Sequence, residues 1–327
     1  MIADNDIVME ETQPPVKHTK HIKHIVINGG GPLLINMYGA LKQSNVLEMW
    51  KHEHMESYYG TSAGAILATI MALKYDWDTL DNYIINRPWQ QILKFNILEI
   101  YDYYTNNGIT DEKFIKEIFS PLLKAKDIDV DVTMETFAQI TGVKLHLYAT
   151  EFETFKVQEF SAEATPNVKV LDAVYASSAL PILLKPIKIE DKFYIDGSIY
   201  MNYPIAKCLE RNSDPQTILG IKNAFTLNAT SEINNMNMFD YLSYIMNAMF
   251  VKAQSCEMNS NRDQIKEITI TSTFNDLSNF FKMASSSEER RNAINRGITD
   301  AIKLLHACEI TDAIKLLHAC EITDACI

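Results

Sequence analysis

The sequence predicts an α/β protein, and three observations carry that expectation. His24-Ile25-Val26-Ile27-Asn28 and Thr217-Ile218-Leu219-Gly220-Ile221 are short continuous apolar runs, the pattern of strands buried on both faces. The first run ends directly in Gly29-Gly30-Gly31-Pro32, and a helical pattern follows from Leu33 to Leu41. A second glycine-bounded turn, Gly60-Thr61-Ser62-Ala63-Gly64, leads into the apolar run Ala65 to Leu73, which reads as a buried core helix.

The first glycine turn presents several backbone N–H groups to an anion. Phosphate binding and oxyanion stabilisation both use such a device. A dinucleotide fingerprint needs glycine where Leu34 stands, and the G-K-[ST] of a P-loop is absent, so a transient oxyanion is the better match. Pro32 suits a first helical position, since it needs no amide donor there. In the second turn, serine at G-x-S-x-G spacing suggests a nucleophile on a strained strand-to-helix turn, with glycines where side chains would collide. A plain glycine-bounded turn into a core helix is the competing reading.

Further along, Lys74 to Phe95 reads as short helices and a loop around Pro88, and Thr110 to Lys113 caps a helix through Leu122. Thr133 to Thr141 reads as a helix closed by Gly142, and Val143 to Thr150 alternates like a strand. His146 lies within that strand as a structural histidine rather than a base. Val168 to Ser178 is helical by period, and Lys192 to Ile195 is a strand ending at Asp196-Gly197-Ser198. Met236 to Met258 reads as a long Met-rich amphipathic helix, Ile265 to Ile270 as a strand, and Ser285 to Glu289 as the cap of the closing helix. The tail repeats itself: ITDAIKLLHACE occupies 298–309 and again 310–321, and a third copy starts at Ile322. Twelve residues turn a helix by about 1,200°, leaving about 120° over three rotations. The second copy's apolar stripe therefore points away from the first's, and the repeat reads as a dispensable extension.

Composition bounds the function classes. The 327 residues, 47% hydrophobic and 22% charged, suit an ordinary globular chain with a sizeable core. A net charge of −12 argues against a nucleic-acid partner. No apolar run reaches the roughly 18 residues of a membrane-spanning helix, and the acidic N-terminus lacks the apolar stretch of a secretory signal. The five cysteines show neither C-x-x-C nor metal-ligand spacing, which makes a reducing, intracellular compartment the expectation, cytoplasmic or peripheral to a membrane. Neither a metal nor a cofactor is expected.

A serine nucleophile needs a base. After Asp196 the only histidines are His306 and His318, both in the duplicated tail, a poor place for precise geometry. This disfavours a Ser-His-Asp arrangement with His306 and leaves a carboxylate acting directly on the serine. Asp196 is the best-placed candidate, at a strand end with a glycine beside it that allows close approach.

These motifs, in this order, resemble the patatin-like phospholipases. Gly29-Gly30-Gly31, Gly60-Thr61-Ser62-Ala63-Gly64 and Asp196-Gly197-Ser198 carry the resemblance. It is seconded by Ala176-Ser177-Ser178-Ala179-Leu180-Pro181, by Asn202-Tyr203-Pro204 and by the strand Leu147-Tyr148-Ala149-Thr150. It covers about residues 22–305, and the chain divides accordingly into a leader (1–21), the patatin-like domain (22–305) and the repeated helical tail (306–327). The resemblance implies a three-layer α/β/α sandwich around a mainly parallel sheet. It implies a lipid acyl hydrolase, phospholipase A-like, acting on phospholipid or another acyl lipid with transient membrane-surface contact. Ser62 would be the nucleophile, Asp196 its proton acceptor, and the amides of Gly29, Gly30 and Gly31, helped by Ala63, the oxyanion hole. One departure stands out: the family's basic residue and glycine after the triplet are Leu33 and Leu34 here. That favours a second reading, a catalytically weak lipid- or partner-binding module.

Overall fold

A computed structural model describes residues 20–92, 108–212, 214–226, 264–273 and 277–324, with isolated positions at 241, 244, 245 and 248. The leader before Lys20 and nearly all of the expected Met236–Met258 helix lie outside the described residues.

The main sheet is built on β1 (His24–Ile27), β2 (Ser57–Thr61), β4 (Lys144–Glu151), β9 (Ile218–Thr226) and β10 (Lys266–Thr273), which run parallel in the order β10-β9-β1-β2-β4. An antiparallel margin follows on β4: β8 (Lys192–Asp196), β7 (Ile187–Ile189) and, off the main path, β5 (Val157–Ser161). A separate small sheet pairs β3 (Gly108–Thr110) with β6 (Ile182–Leu184).

The apolar runs are continuous because the sheet is covered on both faces. Successive strand residues point to opposite sides. Ile25, Ile27, Tyr58, Leu145 and Leu147 thus join the larger core, and Val26, Tyr59 and Tyr148 join a smaller one beneath. The larger core is roofed by α1 (Leu34–Val46), α2 (Ala63–Ala72), α3 (Trp77–Asn86), α4 (Lys113–Lys124), α5 (Met134–Thr141) and α6 (Val170–Ser178). On the other face Ile205 and Cys208 of α7 (Ile205–Arg211) pack with Met201 and Tyr203. The result is a three-layer α/β/α sandwich.

Local expectations resolve well. Thr133 caps α5 by accepting from the Thr136 amide, and Gly142 closes it at φ 67°. His146 is structural: its Nδ1 lies 2.9 Å from Glu159 and its ring stacks on Tyr59. Pro32 falls in a 3₁₀ turn over Gly31–Leu33, and α1 proper starts one residue later, at Leu34. Two helices close the chain, α8 (Leu277–Ser285) and α9 (Ser287–Asp324), the latter capped by Ser286, which accepts from the Glu289 amide. α9 runs through the duplicated stretch without a break at 305/306. Ala301, within the first copy of the repeat, is fully buried, whereas His306 and Ala307 are exposed.

β1 has β2 on one side and β9 on the other, so the chain reverses its direction of travel across the sheet there. In such sheets the crevice beyond the strands' carboxyl ends at the reversal is where ligands bind. The glycine triplet occupies that place.

Candidate active site

Ser62 sits between β2 and α2 at φ 56°, ψ −124°, a conformation that L-residues rarely adopt. The surrounding chain enforces it. A Cβ on Gly60 would lie 2.5 Å from the Gly64 carbonyl oxygen, and one on Gly64 would lie 2.3 Å from that of Ile27. The G-x-S-x-G spacing therefore has a steric cause: α2 must start pressed against β1 and β2, and only glycine permits it. The Ser62 amide donates to Ser177 Oγ at 3.0 Å, and Ser177 in turn donates to the Tyr148 carbonyl at 2.6 Å.

Asp196 arrives from the opposite direction, at the end of antiparallel β8. Ser62 Oγ donates to its Oδ2 at 2.6 Å, and its Oδ1 accepts from the Ser198 amide at 2.7 Å. The carboxyl is fully buried and Ser62 is 8% exposed. Burial pushes the Asp196 pKa up to about 6, although the bonds from Ser62 and Ser198 favour the ionised form. A carboxylate in this state is a stronger proton acceptor than an exposed one and is still largely ionised at neutral pH.

The secondary motifs turn out to be the frame around this pair. Ser177 and Ala179 belong to one segment; the first holds the Ser62 amide, and the Ala179 carbonyl accepts from the Asp196 amide at 3.0 Å. Thr150, at the end of β4, donates its hydroxyl to the Asp196 carbonyl at 3.1 Å. The spacing of these residues carried the resemblance, but their roles emerge only where α6, β4 and β8 converge.

The glycine triplet lies beside the serine, as predicted, and one of its amides is engaged elsewhere. Gly29 N–H donates to the Asn202 carbonyl at 2.9 Å, which takes it out of the predicted set of oxyanion donors. The amides of Gly30 and Gly31 donate to no backbone carbonyl among the described residues, and that of Ala63 opens α2, where no intrahelical acceptor exists. Sequence reasoning missed Asn223, a buried residue of β9 whose Nδ2 donates to the Gly29 carbonyl at 2.7 Å. No motif in the sequence points to it. His306 is exposed on α9, and the Ser62 hydroxyl donates to Asp196; among the described residues no histidine is hydrogen-bonded to the serine.

With this geometry in hand, comparison with known proteins decides the family. The family model described as patatin-like phospholipase matches residues 25–209, more than half of the chain. The chain belongs to the patatin-like phospholipase family. Among curated relatives, the probable lipid hydrolase 463L of Invertebrate iridescent virus 6 is 26% identical over 188 residues, which is 57% of this chain and 63% of that protein. The uncharacterized protein R571 of Acanthamoeba polyphaga mimivirus is 25% identical over 199 residues, covering 60% of this chain and 65% of its own. Both matches thus span less than two thirds of the relative. Among solved structures, VipD from Legionella pneumophila superposes with a TM-score of 0.52 at 15% identity, over 88% of this chain and 67% of that one, a likeness of fold. Among the described residues no group of His, Cys, Asp and Glu is arranged to hold a metal ion, and no helix is long and apolar enough to cross a membrane.

Proposed function

We propose that this patatin-like chain is a lipid acyl hydrolase, phospholipase A-like, that cleaves carboxylic esters of phospholipids or related acyl lipids through a Ser62–Asp196 dyad. The observation that carries the reading is the 2.6 Å bond from a strained, buried serine to a buried carboxylate supplied by a distant strand. Ser62 Oγ attacks the ester carbonyl carbon while its proton passes to Asp196 Oδ2. The carbonyl oxygen becomes an oxyanion and is received by the amides of Gly30 and Gly31, with Ala63 beside them. Asp196 then returns the proton to the leaving alkoxide as the C–O bond breaks, leaving an acyl ester on Ser62. Water attacks this ester with its proton going to Asp196, and the fatty acid departs as Ser62 recovers its hydrogen. The catalytic unit in this reading is residues 22–305.

Contact with a lipid surface is part of the proposal. Phe152, Phe155 and Phe193 are 50%, 52% and 41% exposed. The Phe152 amide donates to the Phe193 carbonyl three residues beyond the Ala149–Asp196 pair, so the backbones of these two residues lie roughly 10 Å further along the strands than Asp196. Exposed rings at the strand-end rim suit shallow insertion, and a net charge of −12 favours a zwitterionic surface over an anionic one.

The test is covalent labelling with a fluorophosphonate together with fatty-acid release from a panel of phospholipid, galactolipid and neutral-lipid vesicles. Labelling that is lost in Ser62→Ala, and ester cleavage lost in Asp196→Asn, are the expected results. Well-folded protein that binds phosphatidylcholine vesicles yet neither labels nor releases fatty acid would establish the binding-module reading, which the Leu33-Leu34 departure favours.

A further inference from the structure

The glycine triplet is held open by its carbonyls. The Gly30 carbonyl accepts from the Leu33 amide at 3.0 Å, and that of Gly31 accepts from the Leu34 amide. These two bonds come from the turn itself. The Gly29 carbonyl has no such partner within the loop and is held instead by the Asn223 side chain at 2.7 Å.

A peptide group is planar and trans, so its C=O and N–H point in opposite directions. Fixing the Gly29 oxygen therefore fixes the direction of the Gly30 N–H. The peptide between two glycines is also the easiest in a chain to flip, because neither residue has a Cβ to restrict its φ and ψ. A flip would turn a carbonyl oxygen, in place of a donor, toward a developing oxyanion.

Asn223 reaches this peptide because of register. β1 ends at Ile27, opposite Ile221, whereas β9 continues beside β10, with Asn223 opposite Ile270. β9 therefore overshoots β1 and lays a side chain alongside the loop. The fit is close: a Cβ on Gly30 would lie 2.3 Å from Asn223 Nδ2. Asn223 is 6% exposed, and its Oδ1 has no hydrogen-bond partner among the described residues. A buried amide with an unsatisfied acceptor is a poor choice for stability alone.

We infer that Asn223 is a positioning residue that locks the Gly29–Gly30 peptide with the Gly30 N–H turned toward the oxyanion, in a loop where leucines replace the family's basic residue and glycine. The inference rests on the proposed role of Ser62. It also places a determinant of the site on β9, beyond the residues matched by the family model.

The experiment uses the full chain, a water-soluble short-chain aryl ester and a fluorophosphonate, with wild type, Asn223→Ala and Asn223→Asp compared from pH 5.5 to 8.5. Asn223→Ala is expected to lower kcat about ten-fold with KM unchanged, less than the 10²–10³ for removing an oxyanion donor outright. Phosphonylation of Ser62 should slow in parallel, because the phosphoryl oxygen occupies the same place. Asn223→Asp keeps the shape but turns donor into acceptor once ionised. Its kcat relative to wild type at the same pH should fall as pH rises and recover as pH drops, since the protonated carboxyl can again donate to the Gly29 carbonyl. The ratio removes the titration of Asp196, which both proteins share. A wild type that labels at Ser62, together with variants whose kcat matches it or whose ratio is flat with pH while melting temperature and KM move together, would overturn the inference and leave the dyad standing. Absence of labelling in the wild type would overturn both.

Discussion

Replacing Asp196 by asparagine should abolish turnover and stabilise the fold, and the size of the second effect follows from the burial of the carboxyl. A carboxylate in an unfolded chain titrates near 3.9. In the folded protein burial pushes Asp196 up to about 6. Between those values the folded state holds more protons than the unfolded one, so stability falls as pH rises through that window and stays lowered above it. The gap of about two units corresponds to roughly 3 kcal/mol at pH 8, where the ionised carboxylate is strained in its buried setting. Asparagine is neutral at every pH, keeps an oxygen for the Ser198 amide, and can present its NH₂ to Ser62 Oγ. At about 2–4 °C per kcal/mol for domains of 150–250 residues, the variant should melt roughly 6–12 °C above wild type at pH 8. That difference should shrink to about a third by pH 4.5 and vanish only below the unfolded-state pKa near 3.9. Loss of a general base costs about 10²–10⁴ in kcat. Differential scanning fluorimetry at pH 4.5, 6 and 8, beside ester hydrolysis, measures both quantities. A variant less stable than wild type at pH 8, or a melting gap indifferent to pH, would refute the picture of a buried, reluctantly ionised base.

Three further outcomes follow from the site's geometry. Ser62→Gly should be inactive yet more stable by about 1 kcal/mol, since glycine tolerates φ 56° without strain; a denaturant titration reads this. Gly64→Ala should lose about 3 kcal/mol or fail to fold, because the new methyl meets the backbone oxygens of Ile27 and Asn28, and soluble yield with circular dichroism will show it. His306→Ala should retain hydrolysis within about two-fold at all pH values, as an exposed tail histidine has no part in proton transfer; a collapse of kcat would restore the histidine-triad alternative.

Much of the candidate site was legible in the sequence because steric demands there are absolute. Gly60 and Gly64 are glycine because backbone oxygens crowd them, and that necessity leaves a spacing anyone can read. Asp196 was legible for a weaker reason: it ends a strand and precedes Gly197, which approaches the Tyr148 carbonyl too closely for a side chain. Ser177, Thr150 and Asn202 were visible as motif letters without roles. Their roles depend on one or two hydrogen bonds each, across elements far apart in the chain.

The glycine loop shows where reading the chain alone goes wrong. Three consecutive glycines look like three equivalent donors, but Gly29 N–H is tied to Asn202 and only the next two amides are turned free of the backbone. Asn223 left no trace in the sequence, since a single asparagine in a strand has no periodicity and no spacing partner. Its importance arises from β9 outrunning β1.

By itself, then, the sequence determined the elements, the alternation of buried strands and helices, and the turns that only glycine can make, because these are local consequences of sterics and burial. The tertiary structure decided which carboxylate meets which hydroxyl, how far burial raises that carboxyl's pKa, and which amides of the triplet are left without a backbone acceptor. Each of those depends on distances between segments that are remote in the chain, set by sheet order and register.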